Sequence, residues 1–150
     1  TKSKVVHSPV RGVHPELLEG LLTFEKYIGA DFDCSEIATH FEELGIKTKT
    51  VPSKTSELAK LFSTSYYGLC IAWHGEMKKM CDSLGVDFED AVINWNKNYN
   101  ESYKKLDKSN VVRPLLYPSS QIGGHCIIPN AKILREEFDS TALDLILEYS

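Results

Sequence analysis

The residues with the clearest capacity for chemistry lie in Gln121-Ile-Gly-Gly-His-Cys-Ile-Ile-Pro-Asn130. A cysteine ends a glycine turn there, and a thiol in such a place can serve as a nucleophile. Gly123 and Gly124 allow positive φ or close approach of the backbone to a ligand. His125, beside Cys126, can lower the thiol pKa, and the thiolate is the reactive form. Pro129 reads as the first residue of a helix running to Glu137. Cys126 then sits just before that helix, where the dipole favours an anion. The same pattern suits a tight turn around a buried cysteine, since free cysteine is mostly core. Lys60 and Thr64, four apart on another helix, point from one face; a solvated surface lysine is the plain alternative. Trp95, Tyr99 and Tyr103, also four apart, can stack on a base or sugar ring, although such a stripe is more often core. Five histidines and four cysteines contain no Cys-x₂-Cys or His-x₃-His pair, so no metal is expected.

Several elements must position these groups. Lys4 to Ser8 predicts a short strand with β-branched Val5 and Val6. His14-Pro15-Glu16 predicts a helix start, with Leu17, Leu18, Leu21 and Leu22 on one face. Phe24 to Gly29 fits the end of that helix or a strand. Cys34-Ser35-Glu36 opens an amphipathic helix with Ile37, Ala38, Phe41 and Leu44, stopped by Gly45. Ile46 to Val51 is a strand by its β-branched content. This strand–helix rhythm is that of a parallel sheet. Ser56 to Leu84 has no proline and predicts one helix rising about 40 Å. Its apolar residues cover most of the circumference, the pattern of a helix buried between elements or subunits. Asp87 caps a further helix from Phe88 to Leu106, with Phe88, Ala91, Val92, Trp95 and Tyr99 inward. The linker from Asp107 to Ile122 carries Arg113 and Tyr117 towards the glycine turn, and a last helix spans Asp139 to Tyr149.

Composition bounds the function. The chain has 150 residues, 42% hydrophobic and 25% charged, as in an ordinary soluble domain with a proper core. A net charge of −4 gives no electrostatic case for nucleic acid or acidic lipid. No apolar run is long enough to span a membrane, and no signal peptide opens the sequence. Four cysteines without a secretion signal read as thiols in a reducing, cytoplasmic setting. No Gly-x-Gly-x-x-Gly turn is present to cradle a pyrophosphate.

Three blocks carry a family resemblance. Gly123-Gly124-His125-Cys126-Ile127 resembles the Gly-Gly-His-Cys-Ile-Pro signature of the UDP-glucose/GDP-mannose dehydrogenases, most like their hexosamine-oxidising branch, with one isoleucine inserted or substituted before the proline. Ser56-Glu-Leu-Ala-Lys60, continuing through Ile71-Ala-Trp-His-Gly-Glu76 to Cys81-Asp-Ser-Leu-Gly85, is similar to the family's central helix. His7-Ser-Pro-Val-Arg11 resembles the Pro-Glu-Arg segment that closes its cofactor domain. The resemblance implies an α/β fold: a partial parallel sheet over residues 1–54, the end of a Rossmann-like domain with Phe24 to Gly29 as a strand. Residues 55–150 follow as a mostly helical central and dimerisation domain around one long buried helix, similar to the C-terminal domain of 6-phosphogluconate dehydrogenase.

The chemistry implied is a two-step oxidation at a sugar nucleotide's C6. A first NAD takes a hydride to give an aldehyde, and the Cys126 thiolate adds to it. A second NAD oxidises the thiohemiacetal to a thioester, which water hydrolyses to the uronic acid. Lys60 would offset the developing oxyanion. Gly123, Gly124, His125, Arg113 and Tyr117 would contact the substrate. NAD itself would be held by a half that this sequence lacks, and no metal takes part. Three positions depart from the family pattern. The helix asparagine is Thr64, the acid after the cysteine is Asn130, and the glutamate of Pro-Glu-Arg is Val10. Thr64 and Asn130 thus stand at catalytic positions with altered chemistry, and losing a general base costs about 10²–10⁴-fold. Two readings stay open: part of a sugar-nucleotide dehydrogenase, or a non-catalytic sugar-nucleotide-binding or dimerisation module derived from one. The first expects Cys126 and Lys60 to face one cleft. Either expects a homodimer joined through the long helix and no NAD reduction by this chain alone.

Overall fold

The computed structural model describes residues 4–12 and 15–150, which form two compact units, 1–62 and 63–150. In the first unit, β1 (Lys26–Gly29) and β2 (Thr48–Val51) pair in parallel, with Ile28 opposite Thr50. The connecting helix α2 (Ser35–Glu43) supplies Ile37, Ala38 and Phe41 against buried Ile28, Ala30 and Cys34. Gly45 stops α2 as its sequence predicts: with φ of +78°, its amide donates to Glu42 and that of Ile46 to Phe41.

The segment expected as a strand over Lys4 to Ser8 is reduced to one antiparallel bridge, His7 to Gly29. Pro9, the next residue on the pairing side, has no amide to extend the ladder. The expected helix near Pro15 is α1, Leu17–Thr23; His14 lies outside the described residues. Its inward group is Gly20, where a Cβ would meet the Arg11 carbonyl oxygen at 2.6 Å, while Leu18 and Leu22 are exposed.

Helix α3 runs from Ser53 to Leu84, 32 residues, three longer at its start than Ser56. Asp31 extends it: its carboxylate accepts the Ser53 amide at 3.2 Å and also the Ser53 hydroxyl, and these bonds hold the Asp31 carboxyl below its ordinary pKa. Gly85 closes the far end with the same pair of bonds seen at Gly45. Ala72, His74 and Cys81 are buried on α3, with His74 and Cys81 on one face and Ala72 opposite, whereas Tyr66, Trp73, Met80 and Leu84 are exposed.

The second unit continues with a π-helical segment, Glu89–Asn94, leading into α4 (Trp95–Lys105). Asp87 does cap this entry, its carboxylate accepting the Asp90 amide at 2.9 Å. The expected uniform α-helix from Phe88 to Leu106 is therefore corrected. A π turn holds an extra residue and rotates the face that follows. Phe88, Val92 and Ile93 are buried beside Cys81, while Ala91 and Trp95, expected inside, are exposed. Helices α5 (Ile127–Glu137) and α6 (Thr141–Glu148) pack together and bury Ala131, Leu134, Leu143 and Ile146. Pro129 is the third residue of α5, not its first. It still lies in the first turn, where no intrahelical donor is needed.

Candidate functional site: a thiol at the start of α5

Cys126 occupies the position just before α5, and its carbonyl accepts the Asn130 amide at 3.2 Å. It is the exposed thiol of the four; Cys34 and Cys81 are buried and Cys70 is half-buried. The turn leading to it is open. Gly124 has φ of +86°, a conformation that excludes most other residues. At Gly123 a Cβ would meet nothing within 4 Å among the described residues, so packing within the chain does not require glycine there. His125 is exposed as well.

Two contacts a helical turn apart seat α5 on α3. At Gly68 a Cβ would meet the Ile127 Cγ2 at 2.4 Å and the Ile146 Cγ2 at 3.3 Å. A β-branched side chain cannot swing away from such a clash, so only glycine leaves the notch that Ile127 fills. One turn earlier, the Asn130 Nδ2 donates to the Thr64 Oγ1 at 2.9 Å. The two altered positions of the sequence thus pair with each other. Asn130 has no acidic proton to give, and the Thr64 hydroxyl keeps its own hydrogen for a further acceptor.

The other candidates make contacts within their own units. In the first unit, the Lys60 Nζ donates to the Val10 carbonyl at 3.2 Å, and the Ser56 hydroxyl lies 2.8 Å from the His7 Nδ1. The His7–Arg11 segment therefore runs along the first turns of α3, touching Ser56 and Lys60 four residues apart. In the second unit, the Arg113 guanidinium lies 3.5 Å from the centre of the Tyr99 ring. Asn100 clamps the Arg113 backbone through its side-chain amide, at 2.9 and 2.8 Å. Tyr99 therefore stacks on a cation, and the Tyr103 ring lies 4.5 Å from that of Tyr99. The Tyr117 hydroxyl donates to Glu89 at 3.1 Å, which raises its pKa above the usual tyrosine value. Arg113 and Tyr117 are thus engaged with α4 and the π segment.

Sequence reading missed a second group. The Tyr149 hydroxyl donates to the Glu76 carboxylate at 2.7 Å, and Lys79 pairs with Glu76 at 2.6 Å. Lys79 first and Tyr149 second hold the Glu76 carboxyl below its ordinary pKa. A glycine and a glutamate in one helical turn, Gly75-Glu76, were the available signal, but their partner is 73 residues away. Among the described residues no group of three or more His, Cys, Asp or Glu side chains could hold a metal ion. No described helix is long and apolar enough to cross a membrane.

Comparison with known proteins places this arrangement. A UDP-N-acetyl-D-mannosamine dehydrogenase of Methanococcus maripaludis is 29% identical over 129 residues, 84% of this chain and 27% of the relative. An NDP-N-acetyl-D-galactosaminuronic acid dehydrogenase of Ralstonia nicotianae is 26% identical over 83% of this chain and 27% of its own. The chain thus spans about a quarter of the length of the curated relatives it matches. Among solved structures, a UDP-D-ManNAc dehydrogenase from Pyrococcus horikoshii aligns with a TM-score of 0.74 at 18% identity, covering 97% of this chain and 33% of that one. A UDP-N-acetyl-mannosamine dehydrogenase from S. aureus aligns with a TM-score of 0.66 at 23% identity, over 97% and 32%. These two show the shared fold. The central-domain model of the UDP-glucose/GDP-mannose dehydrogenase family matches residues 54–148, most of the chain, and the chain belongs to that family.

Proposed function

We propose that this chain is the thiol-bearing part of a nucleotide-sugar 6-dehydrogenase and works with NAD held by residues outside it. The observation that carries this reading is the presentation of Cys126: an exposed thiol at a helix start, behind Gly123, where a Cβ would meet nothing within 4 Å among the described residues. A glycine of that kind suits close approach by a ligand. In the proposed reaction NAD, when bound, would supply the hydride acceptor for two oxidations. The C6 alcohol gives up a hydride and a proton to become an aldehyde, the Cys126 thiolate adds to it to form a thiohemiacetal, and loss of a second hydride and the hydroxyl proton leaves a thioester on Cys126. Water displaces the thiolate and yields the carboxylate, so each sugar gives two NADH. Lys60 offsets the oxyanion charge, and Thr64 and Asn130 occupy the catalytic positions beside these two residues in sequence. Gly123, Gly124, His125, Arg113 and Tyr117 serve the substrate. The named relatives favour a nucleoside-diphosphate-linked N-acetylhexosamine. Four free thiols suit the reducing cytoplasm.

The test uses a protein in which this chain is joined to a Gly-x-Gly-x-x-Gly unit. NADH release from a UDP-N-acetylhexosamine, lost in Cys126→Ser, supports the reading; turnover retained by Cys126→Ser overturns it. The 150-residue chain by itself should form no NADH. The exposed aromatic and apolar residues of α3 favour a symmetric pair, and a monomer by light scattering at micromolar concentration overturns that part.

A second reading draws on one observation: Asn130 donates to Thr64, and neither side chain ionises. A site without that base fits a sugar-nucleotide-binding or dimerisation module lacking turnover. Binding of a UDP-sugar without NADH formation by the joined protein would select it.

A further inference from the structure

The glycine turn has two ends, and both lead to the same helix. Its exit is Ile127, seated in the Gly68 notch of α3. Its entry is Ile122, a buried residue whose amide donates to the Tyr149 carbonyl at 2.6 Å. Tyr149 follows α6 directly and is itself buried. Its ring lies flush against α3: at Gly75 a Cβ would meet the Tyr149 Cε1 at 2.5 Å and its hydroxyl at 2.6 Å. The hydroxyl donates to Glu76, and the Lys79 ammonium lies 4.7 Å from the ring centre while pairing with the same carboxylate. Gly68 and Gly75 are seven residues apart, two turns of helix, so both notches open on one side of α3.

We propose that Tyr149 is a positioning residue for Cys126. It anchors the entry of the thiol turn to α3 through its backbone, and Glu76 locks its side chain in place. Glycines at 123 and 124 make the exposed turn pliant, and an anchor at its entry limits how far the thiol can move from the helix start. Both ends of the turn are thereby held on α3, Ile122 through Tyr149 and Ile127 through the Gly68 notch. The inference rests on Cys126 being the working thiol, but the anchor itself can be read without turnover.

The experiment compares Tyr149→Phe, Gly75→Ala, Glu76→Leu and Glu76→Gln by amide hydrogen exchange and by iodoacetamide labelling of individual thiols. In Tyr149→Phe, Gly75→Ala and Glu76→Leu, exchange at the Ile122 amide should quicken about tenfold, as a local opening would allow. Labelling of Cys126 should slow about threefold as the thiol leaves the helix start. Glu76→Gln keeps an acceptor for the Tyr149 hydroxyl and should stay within about twofold of the parent, a rescue that packing alone would not distinguish. The Leu134 amide and the Cys34 labelling rate should match the parent throughout. Unchanged Ile122 exchange, or unchanged Cys126 labelling despite faster exchange, overturns the proposal, as do equal changes at Leu134 and Cys34. Failure of the dehydrogenase reading appears elsewhere, as Cys126→Ser protein that still oxidises its sugar nucleotide, and leaves these rates untouched.

Discussion

Two helices of this protein begin after a cysteine, and the two cysteines have opposite fates. Cys34 precedes α2 and Cys126 precedes α5, and neither side chain caps its helix. Cys34 is only 4% exposed, packed with Ile28 and Ala30 and with its sulfur 4.0 Å from the Thr50 hydroxyl. Cys126 stands in solvent behind a glycine pair. A helix start by itself therefore does not make a working thiol. What surrounds the sulfur decides: β1 and α2 close over Cys34, whereas Cys126, after the Gly123–Gly124 turn and an exposed His125, is left in solvent.

The widest separation between the two should appear in alkylation. Cys126 should react with iodoacetamide about a hundredfold faster than Cys34, which must wait for local opening of its sheet. Competitive labelling read by mass spectrometry checks this, and faster labelling of Cys34 would break the comparison. Stability should separate them next. Cys34→Ser puts a hydroxyl among apolar groups and should cost about 2 kcal/mol in urea unfolding, against less than about 0.5 kcal/mol for the exposed Cys126→Ser.

A smaller effect sharpens the account of how Cys126 is held. Gly68→Ala should lower stability by about 1–2 kcal/mol, because overpacking against Ile127 outweighs the helix preference for alanine. Denaturant midpoints of the variant and parent measure it, and a stabilised variant would show that Ile127 does not need the notch. Smallest is the tie between Thr64 and Asn130. A double-mutant cycle with Thr64→Val and Asn130→Leu should give a coupling of about 1 kcal/mol. A coupling of zero would leave the two substitutions as independent surface changes.

Much of the fold was legible because it depends on neighbours in sequence. Gly45 and Gly85 end their helices through bonds to residues three and five back, and Asp87 caps the residue three ahead. The long helix was visible from an uninterrupted stretch without proline, although its true start at Ser53 depends on Asp31, twenty-two residues earlier. The strand at Lys4 to Ser8 was overread: Val5 and Val6 favour extended backbone, but propensity does not supply a pairing partner past Pro9. The inward face after Phe88 was misjudged because a π turn leaves no periodic mark of its own and shifts the face of every residue beyond it.

The candidate site divides along the same line. The sequence by itself determined the chemistry available: a thiol, a glycine pair, a histidine and a proline within ten residues, together with a family signature. Residue type sets what an atom can do, and that needs no fold to be read. The tertiary structure alone decided which side chains meet. Asn130 meets Thr64 and Tyr149 meets Gly75 and Glu76 because α5, α6 and α3 pack together, across separations of 66 and 73 residues. Such contacts depend on the volumes of facing surfaces, here the two glycine notches of α3, and no local pattern of hydrophobicity encodes a missing Cβ as the place where a distant ring will lie.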